Sequence, residues 1–203
     1  MQKLTNDKLI MSAQKDGSYL VKIQAAASPD KTSLPTGNRL MNDLIVNNHV
    51  VKINMFKIPG ERPGEKQLGP GAYNSARGYE EIGEYNPNEY NGIGADQSVF
   101  LGKEQFSLVE KSDGATGMEL MPYEVMVAHE LIHALHGFTG TKMPHEAQTP
   151  RYTYQDRDGV YRVDRAQREE LKTVGLSGYA PKEGPTENKI REEQKVAKNV
   201  KYP

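Results

Sequence analysis

His129-Glu130-Leu131-Ile132-His133 is the stretch of this 203-residue chain whose residue types and spacing could do chemistry unaided. On a helix the two histidines lie on one face, about 6 Å apart along the axis. Both imidazoles can then converge on a single zinc ion through neutral ring nitrogens. Glu130, offset by one residue, is poorly placed as a ligand but can reach a water on the same metal. A carboxylate there takes a proton as the water attacks a carbonyl, then hands it to the leaving nitrogen. With five histidines and eighteen glutamates in the chain, composition alone yields this pattern in about one such chain in a hundred. Burying two imidazoles and a carboxylate without partners costs several kcal/mol, and a metal ion supplies the partner.

A catalytic zinc takes three protein ligands and leaves one position open. His136 shares the helical face but lies about 10.5 Å along the axis from His129, so one ion cannot easily accept both. The three-histidine metzincin pattern would need Gly at 136 and His at 139, where this chain has His136 and Thr139. His145 and its neighbour Glu146 stay open as third ligands. Glu170 is the stronger candidate: in Arg168-Glu169-Glu170-Leu171-Lys172-Thr173-Val174-Gly175 it shares an i, i+4, i+8 face with Ala166 and Val174. Glu169 then falls beside it, placed to accept from a histidine N–H and orient that ring.

These residues need a buried helix to hold them. Pro122 suits a first turn, and YEVMVAHELIHALH runs on to Gly137, read as its stop. Its apolar residues leave little free surface, so the helix passes through the core. A second helix is expected from Asp164, with Gln167 at the capping-box position, to a stop at Gly175. A third, polar helix follows Pro185 and Thr186 over ENKIREEQKVAKNV, its charges a solvated face. Upstream, alternation predicts strands near 18–25 and over Val51, Ile53 and Met55, with a short helix at 38–47 between them. Residues 57–96 hold eight glycines and four prolines and read as loop, and strands near 97–101 and 106–110 are expected to pair as a hairpin. The fold class is α+β: a helical metal core with a smaller sheet. Residues 1–36 read as a polar leader, serving secretion or translocation, and 37–203 as the working domain.

Composition narrows the function. No cysteine is present, which removes disulfides, thiolate nucleophiles and cysteine-ligated metals. Mean hydropathy is −0.74, no apolar run suits a membrane span, and the N-terminus lacks the apolar core of a Sec signal. The net charge of −1 hides segments of +4 over 1–67, −8 over 68–150 and +3 over 151–203. The acidic segment contains the candidate chemistry, so nucleic acid is not an expected partner.

HELIHALHG at 129–137 followed by EELKTVG at 169–175 resembles the zinc-endopeptidase light chains of clostridial neurotoxins, and the gap from His133 to Glu170 is 37 residues. The stretch 120–195, with PTENKIREEQ at 185–194, is more similar to the NleD/HopH/XopG type of bacterial type III effector metalloproteases. The resemblance covers about 40% of the chain, at motif level. It implies a zincin-like fold with one Zn2+ per chain on His129, His133 and Glu170, and Glu130 as base. Glu169 and His136 would surround the ligands. Arg191 would face the developing oxyanion, with Tyr179 as the other donor candidate; the light chains' Arg-x-x-Tyr pattern is absent. It further implies a monomeric protease secreted by bacteria and working in the host cell cytoplasm on a host signalling protein, a MAP kinase being the sort of target some relatives cut. Rival readings are a zinc hydrolase of non-protein substrates, a non-proteolytic zinc-binding effector that docks on a host protein, and an interbacterial toxin.

Overall fold

The computed structural model describes residues 1–15, 19–24, 34–55, 71–74, 86–101, 106–110, 116–144, 148, 151–155, 160–176 and 178–201. The architecture is α+β. In chain order it runs β1 (Lys8–Ala13), β2 (Tyr19–Gln24), α1 (Pro35–Ile45), β3 (Val51–Met55), β4 (Gly71–Asn74), β5 (Gln97–Leu101), β6 (Phe106–Glu110), β7 (Thr116–Leu120), α2 (Tyr123–Phe138), β8 (Tyr152–Gln155), β9 (Tyr161–Asp164), α3 (Arg168–Val174), α4 (Glu187–Glu193) and β10 (Asn199–Lys201). Short 3-10 turns occupy Gln2–Leu4 and Pro87–Glu89.

The strands form four small sheets: β1-β2, β3-β5-β4, β10-β6-β7 and β8-β9. The expected hairpin between 97–101 and 106–110 is not formed. β5 lies between β3, with which it is parallel, and β4, with which it is antiparallel, whereas β6 pairs with β7 and β10. Both strands were legible from local pattern, but pairing depends on distant partners that the pattern does not contain. Strand β2 matches the expected single strand, and β1 is its unforeseen partner.

α2 is the axis of the molecule. Every residue from Val125 to Phe138 is buried, and it packs on the β3-β5-β4 sheet, α1, α3 and α4. Its apolar side chains Val127, Leu131, Ile132 and Leu135 join Leu40, Met41, Leu44, Val99, Leu101 and Ile190 in one core. Leu4 is wholly buried in the same cluster. The expected boundary at residue 36 falls inside α1; upstream of it Leu4 joins the core and Leu9 and Ile23 pack against it, while most of the β1-β2 hairpin is exposed.

Three helix ends differ from expectation. Gly137 is not the stop of α2, which continues to Phe138. A Cβ at 137 would lie 2.4 Å from Gln97 Cδ, so the glycine lets the last turn approach β5. α3 starts at Arg168, because Asp164 ends β9 instead of capping a helix; its stop at Gly175, left-handed at φ 85°, is as expected. α4 ends at Glu193, and the rest of the expected third helix turns into β10. The Thr186 side chain caps α4 by accepting from the Lys189 amide.

Candidate metal centre

α2 and α3 cross so that His129 and His133, one turn apart, face the first turn of α3. There His129 Nε2 and His133 Nε2 lie 3.1 Å apart, and Glu170 Oε2 lies 3.2 and 3.0 Å from them. Zinc bonds of about 2.0–2.1 Å put neighbouring tetrahedral donors about 3.3 Å apart, so this triangle fits one face of a tetrahedral ion. The donor chemistry agrees: two imidazole nitrogens and a carboxylate oxygen, with no thiolate and no excess of oxygen ligands. Glu130, adjacent to His129, is buried, and among the described residues its Oε2 has no hydrogen-bond partner. Such an orphaned oxygen in a protein interior is costly unless a water or substrate group meets it.

Each imidazole is held from behind by a carboxylate. His129 Nδ1 donates to Glu187 Oε2 at 2.6 Å, and His133 Nδ1 lies 3.3 Å from Glu169 Oε1. Glu169 Oε1 also accepts from His136 Nδ1 at 2.6 Å, and its Oε2 accepts from the Met143 amide at 2.8 Å. Thr173 Oγ1 completes the group, 3.2 Å from His133 Nδ1. His133, His136 and Glu169 are also close enough to hold an ion, but these hydrogen bonds already satisfy the carboxylate. An N–H donated to an acceptor on one nitrogen leaves the other nitrogen's lone pair free and aimed, which is what a metal ligand requires.

The electrostatics follow from burial and pairing. Burial raises the Glu130 carboxyl above its ordinary value, against the opposing charges of His129 and His133. Burial works against a charged His129, but hydrogen bonds to Glu170 and Glu187 outweigh it and hold its pKa well above the usual value. His133 is likewise opposed by burial, yet Glu170 and Glu169 raise it to about 9. Burial opposes ionisation of Glu170 and Glu187 too, and the histidines overcome it; Glu170 is held well below the carboxylate range and Glu187 below it.

A metal bound by these two rings would have to displace the protons they hold without it. Zinc affinity, measured by competition with a chelator, should therefore rise with pH from 6 and flatten above about 9. The slope should be about tenfold per pH unit for each proton displaced. The sign is opposite for metal-free stability. Raised histidine pKa values stabilise the fold fully below about 6.5, and that stability is lost as pH rises through about 9. A zinc affinity independent of pH would mean that the ring nitrogens are not the ligands.

The structure brings together His129, Glu130, His133, Glu169, Glu170 and His136. His145 and Glu146 lie outside the described residues. Tyr179 is half-buried in the turn after α3, its amide donating to the Leu176 carbonyl. Arg191 is not placed to offer an open donor to an oxyanion. It is 2% exposed, with Nε on Glu187 Oε1 at 2.6 Å, Nη2 on Ser107 Oγ at 2.7 Å and Nη1 on the Ala197 carbonyl at 2.9 Å. Its contacts make it the support of Glu187. Glu187 is the residue that sequence reasoning missed, because the charges of α4 read as solvated. The available signal was its i, i+4 spacing to Arg191 on the same side as apolar Ile190.

A buried helix carrying paired imidazoles, with a carboxylate poised beside them, makes this a candidate metal centre. The chain belongs to the Peptidase_M91 family of effector proteins, whose model matches residues 13–202. Among solved structures it is similar to the zinc-free light chain of botulinum neurotoxin type C, at 14% identity and a TM-score of 0.45, covering 68% of this chain and 40% of that one. It is also similar to the type D light chain, at 20% identity and a TM-score of 0.37, covering 95% of this chain and 36% of that one. The chain thus spans 40% or less of the length of these light chains. No curated protein matches the sequence.

Proposed function

We propose that the protein is a zinc-dependent endopeptidase, one Zn2+ per chain held by His129, His133 and Glu170, with Glu130 as general base. The observation that carries this reading is the triangle of His129 Nε2, His133 Nε2 and Glu170 Oε2, with sides of 3.0 to 3.2 Å. When bound, zinc supplies a Lewis acid that activates water and polarises a carbonyl. Glu130 Oε2, which has no other partner among the described residues, takes the proton of the attacking water and passes it to the amide nitrogen as the C–N bond breaks. Its upward-shifted pKa brings it closer to the working pH, where a group can both accept and return a proton. Glu187 and Glu169 fix the tautomers and directions of His129 and His133, and His136 holds Glu169 in turn. Arg191 positions Glu187, and Tyr179 is the remaining candidate donor to the oxyanion.

Membership of an effector family supports a bacterially secreted protein whose substrate is a host protein. On this reading it acts in the host cytoplasm, on a signalling protein such as a kinase, and residues 1–36 include the segment that directs export. Among the described residues no helix is long and apolar enough to cross a membrane.

Zinc content per chain tests the site. The wild-type protein should hold one zinc, and Glu170→Ala should lose most of it while keeping its circular dichroism. Removing one of three ligands at a site of this class should weaken binding by at least about 100-fold, more than the loss of a residue that merely orients a ligand. A folded Glu170→Ala that retains full zinc would remove Glu170 from the ligand set.

A further inference from the structure

Thr173 lies on α3 one turn beyond Glu169 and is wholly buried. A threonine in a helix can return its hydroxyl to the carbonyl one turn back, and Thr139, at the end of α2, does so on the Leu135 carbonyl at 3.0 Å. Thr173 turns elsewhere. Among the described residues its Oγ1 meets two side chains and no carbonyl: His133 Nδ1 at 3.2 Å and Glu169 Oε1 at 3.5 Å. With Nε2 turned to a metal, a neutral His133 carries its proton on Nδ1. That proton faces two oxygens at nearly equal distances, Thr173 Oγ1 at 3.2 Å and Glu169 Oε1 at 3.3 Å.

The two oxygens are not equally free to take it. Glu169 Oε1 is already in a 2.6 Å bond with His136 Nδ1, and Oε2 accepts from the Met143 amide at 2.8 Å. Among the described residues the Thr173 hydroxyl has no N–H neighbour other than His133. Its own hydrogen is drawn to the carboxylate. The 3.5 Å to Glu169 is long for an O–H···O bond, yet close enough for the negative charge to turn that hydrogen away from His133 and leave a lone pair facing Nδ1. We propose that Thr173 is a positioning residue for the metal centre: its hydroxyl accepts the His133 Nδ1 proton that Glu169, engaged by His136, holds only in part. The two imidazoles are then held unequally. His129 rests on a carboxylate that serves no other histidine, Glu187 at 2.6 Å, and His133 on a neutral hydroxyl together with a shared carboxylate. That Nε2 binds zinc rests on the proposed ligand set; the contacts of Nδ1 do not.

The test compares Thr173→Val, which keeps the shape of the side chain and loses the hydroxyl, with Thr173→Ser, which keeps the hydroxyl and loses the methyl. Zinc affinity, read by chelator competition, should fall about tenfold in Thr173→Val and stay close to wild type in Thr173→Ser. In the full chain with 15N-labelled histidines, the His133 Nδ1–H resonance should move in Thr173→Val and return in Thr173→Ser, while that of His129 stays in place in both. A role in packing alone would reverse the order, because serine leaves a methyl-sized gap and valine leaves none. Wild-type affinity with an unmoved His133 resonance in Thr173→Val, or a loss in Thr173→Ser equal to that in Thr173→Val, overturns the proposal. The resonance is read in the metal-free chain as well. A wild-type protein that takes no zinc would therefore refute the ligand set, while the His133 resonance still decides the role of Thr173.

Discussion

Replacing Glu130 with glutamine is expected to lower the rate of peptide cleavage by about 10³-fold while leaving fold and zinc content unchanged. Glutamine keeps the size and shape of the side chain, which matters because Glu130 is buried between core residues of α2. It also keeps an oxygen near the position of Oε2, so water can still be held there. What it loses is the ability to take a proton. Among the described residues the carboxylate makes no ion pair that its removal would break; its neighbours His129 and His133 are tied to Glu187, Glu169 and Glu170 instead. The loss should therefore fall on chemistry and not on stability. The measurement is the appearance of new protein N-termini in a eukaryotic cell lysate, compared by mass spectrometry between wild type, Glu130→Gln and a chelated control. Equal cleavage by wild type and Glu130→Gln would end the general-base assignment. No new termini with either, in zinc-loaded protein, would favour an effector that binds its target without cutting it.

What could be read from sequence divides by the range of the interaction. His129 and His133 are legible because their relation is fixed by helix geometry over four residues, and the apolar residues around them announce burial. Glu170 is legible because Val174 marks the inward face of its own short helix, although Ala166 lies just before the helix begins. Strand existence followed from alternation at β2 and β3, and strands were expected at β5 and β6 as well, but the pairing of β5 with β3 and β4 joins segments dozens of residues apart. No local signal records such a choice. β8 and β9 were unread, and a helix was expected to begin where β9 ends. Asp164 and Gln167 have the spacing of a capping box, yet Asp164 instead faces Tyr152 in the hairpin. α4 failed in the opposite way. Its composition is that of a surface helix, but two of its charges, Glu187 and Arg191, are among the most buried side chains of the protein. Composition cannot show that charges neutralise each other inside.

That buried pair gives the second large expected effect. Glu187 is wholly buried and joins His129 Nδ1 to Arg191 Nε through its two oxygens, each at 2.6 Å. Glu187→Ala should therefore do two things at once. It frees the His129 ring from the acceptor that fixes its tautomer, which should weaken zinc about 10- to 100-fold. It also leaves the Arg191 guanidinium buried with no countercharge, which should destabilise the fold by about 3–5 kcal/mol, a fall in Tm of roughly 10 °C for a chain of this size. The two effects separate in a second variant. Glu187→Gln with Arg191→Met removes both charges and keeps most of the volume, so most of the lost stability should return. Zinc affinity should stay weak, because a neutral amide orients and polarises the imidazole less well than a carboxylate. Chelator competition and thermal unfolding of the three proteins, wild type included, read the two quantities independently. If Glu187→Ala bound zinc as tightly as wild type, the carboxylate behind His129 would be part of the core alone. If the double variant regained both stability and affinity, then Arg191 left unpaired, and not the loss of the acceptor, would have caused the weak binding.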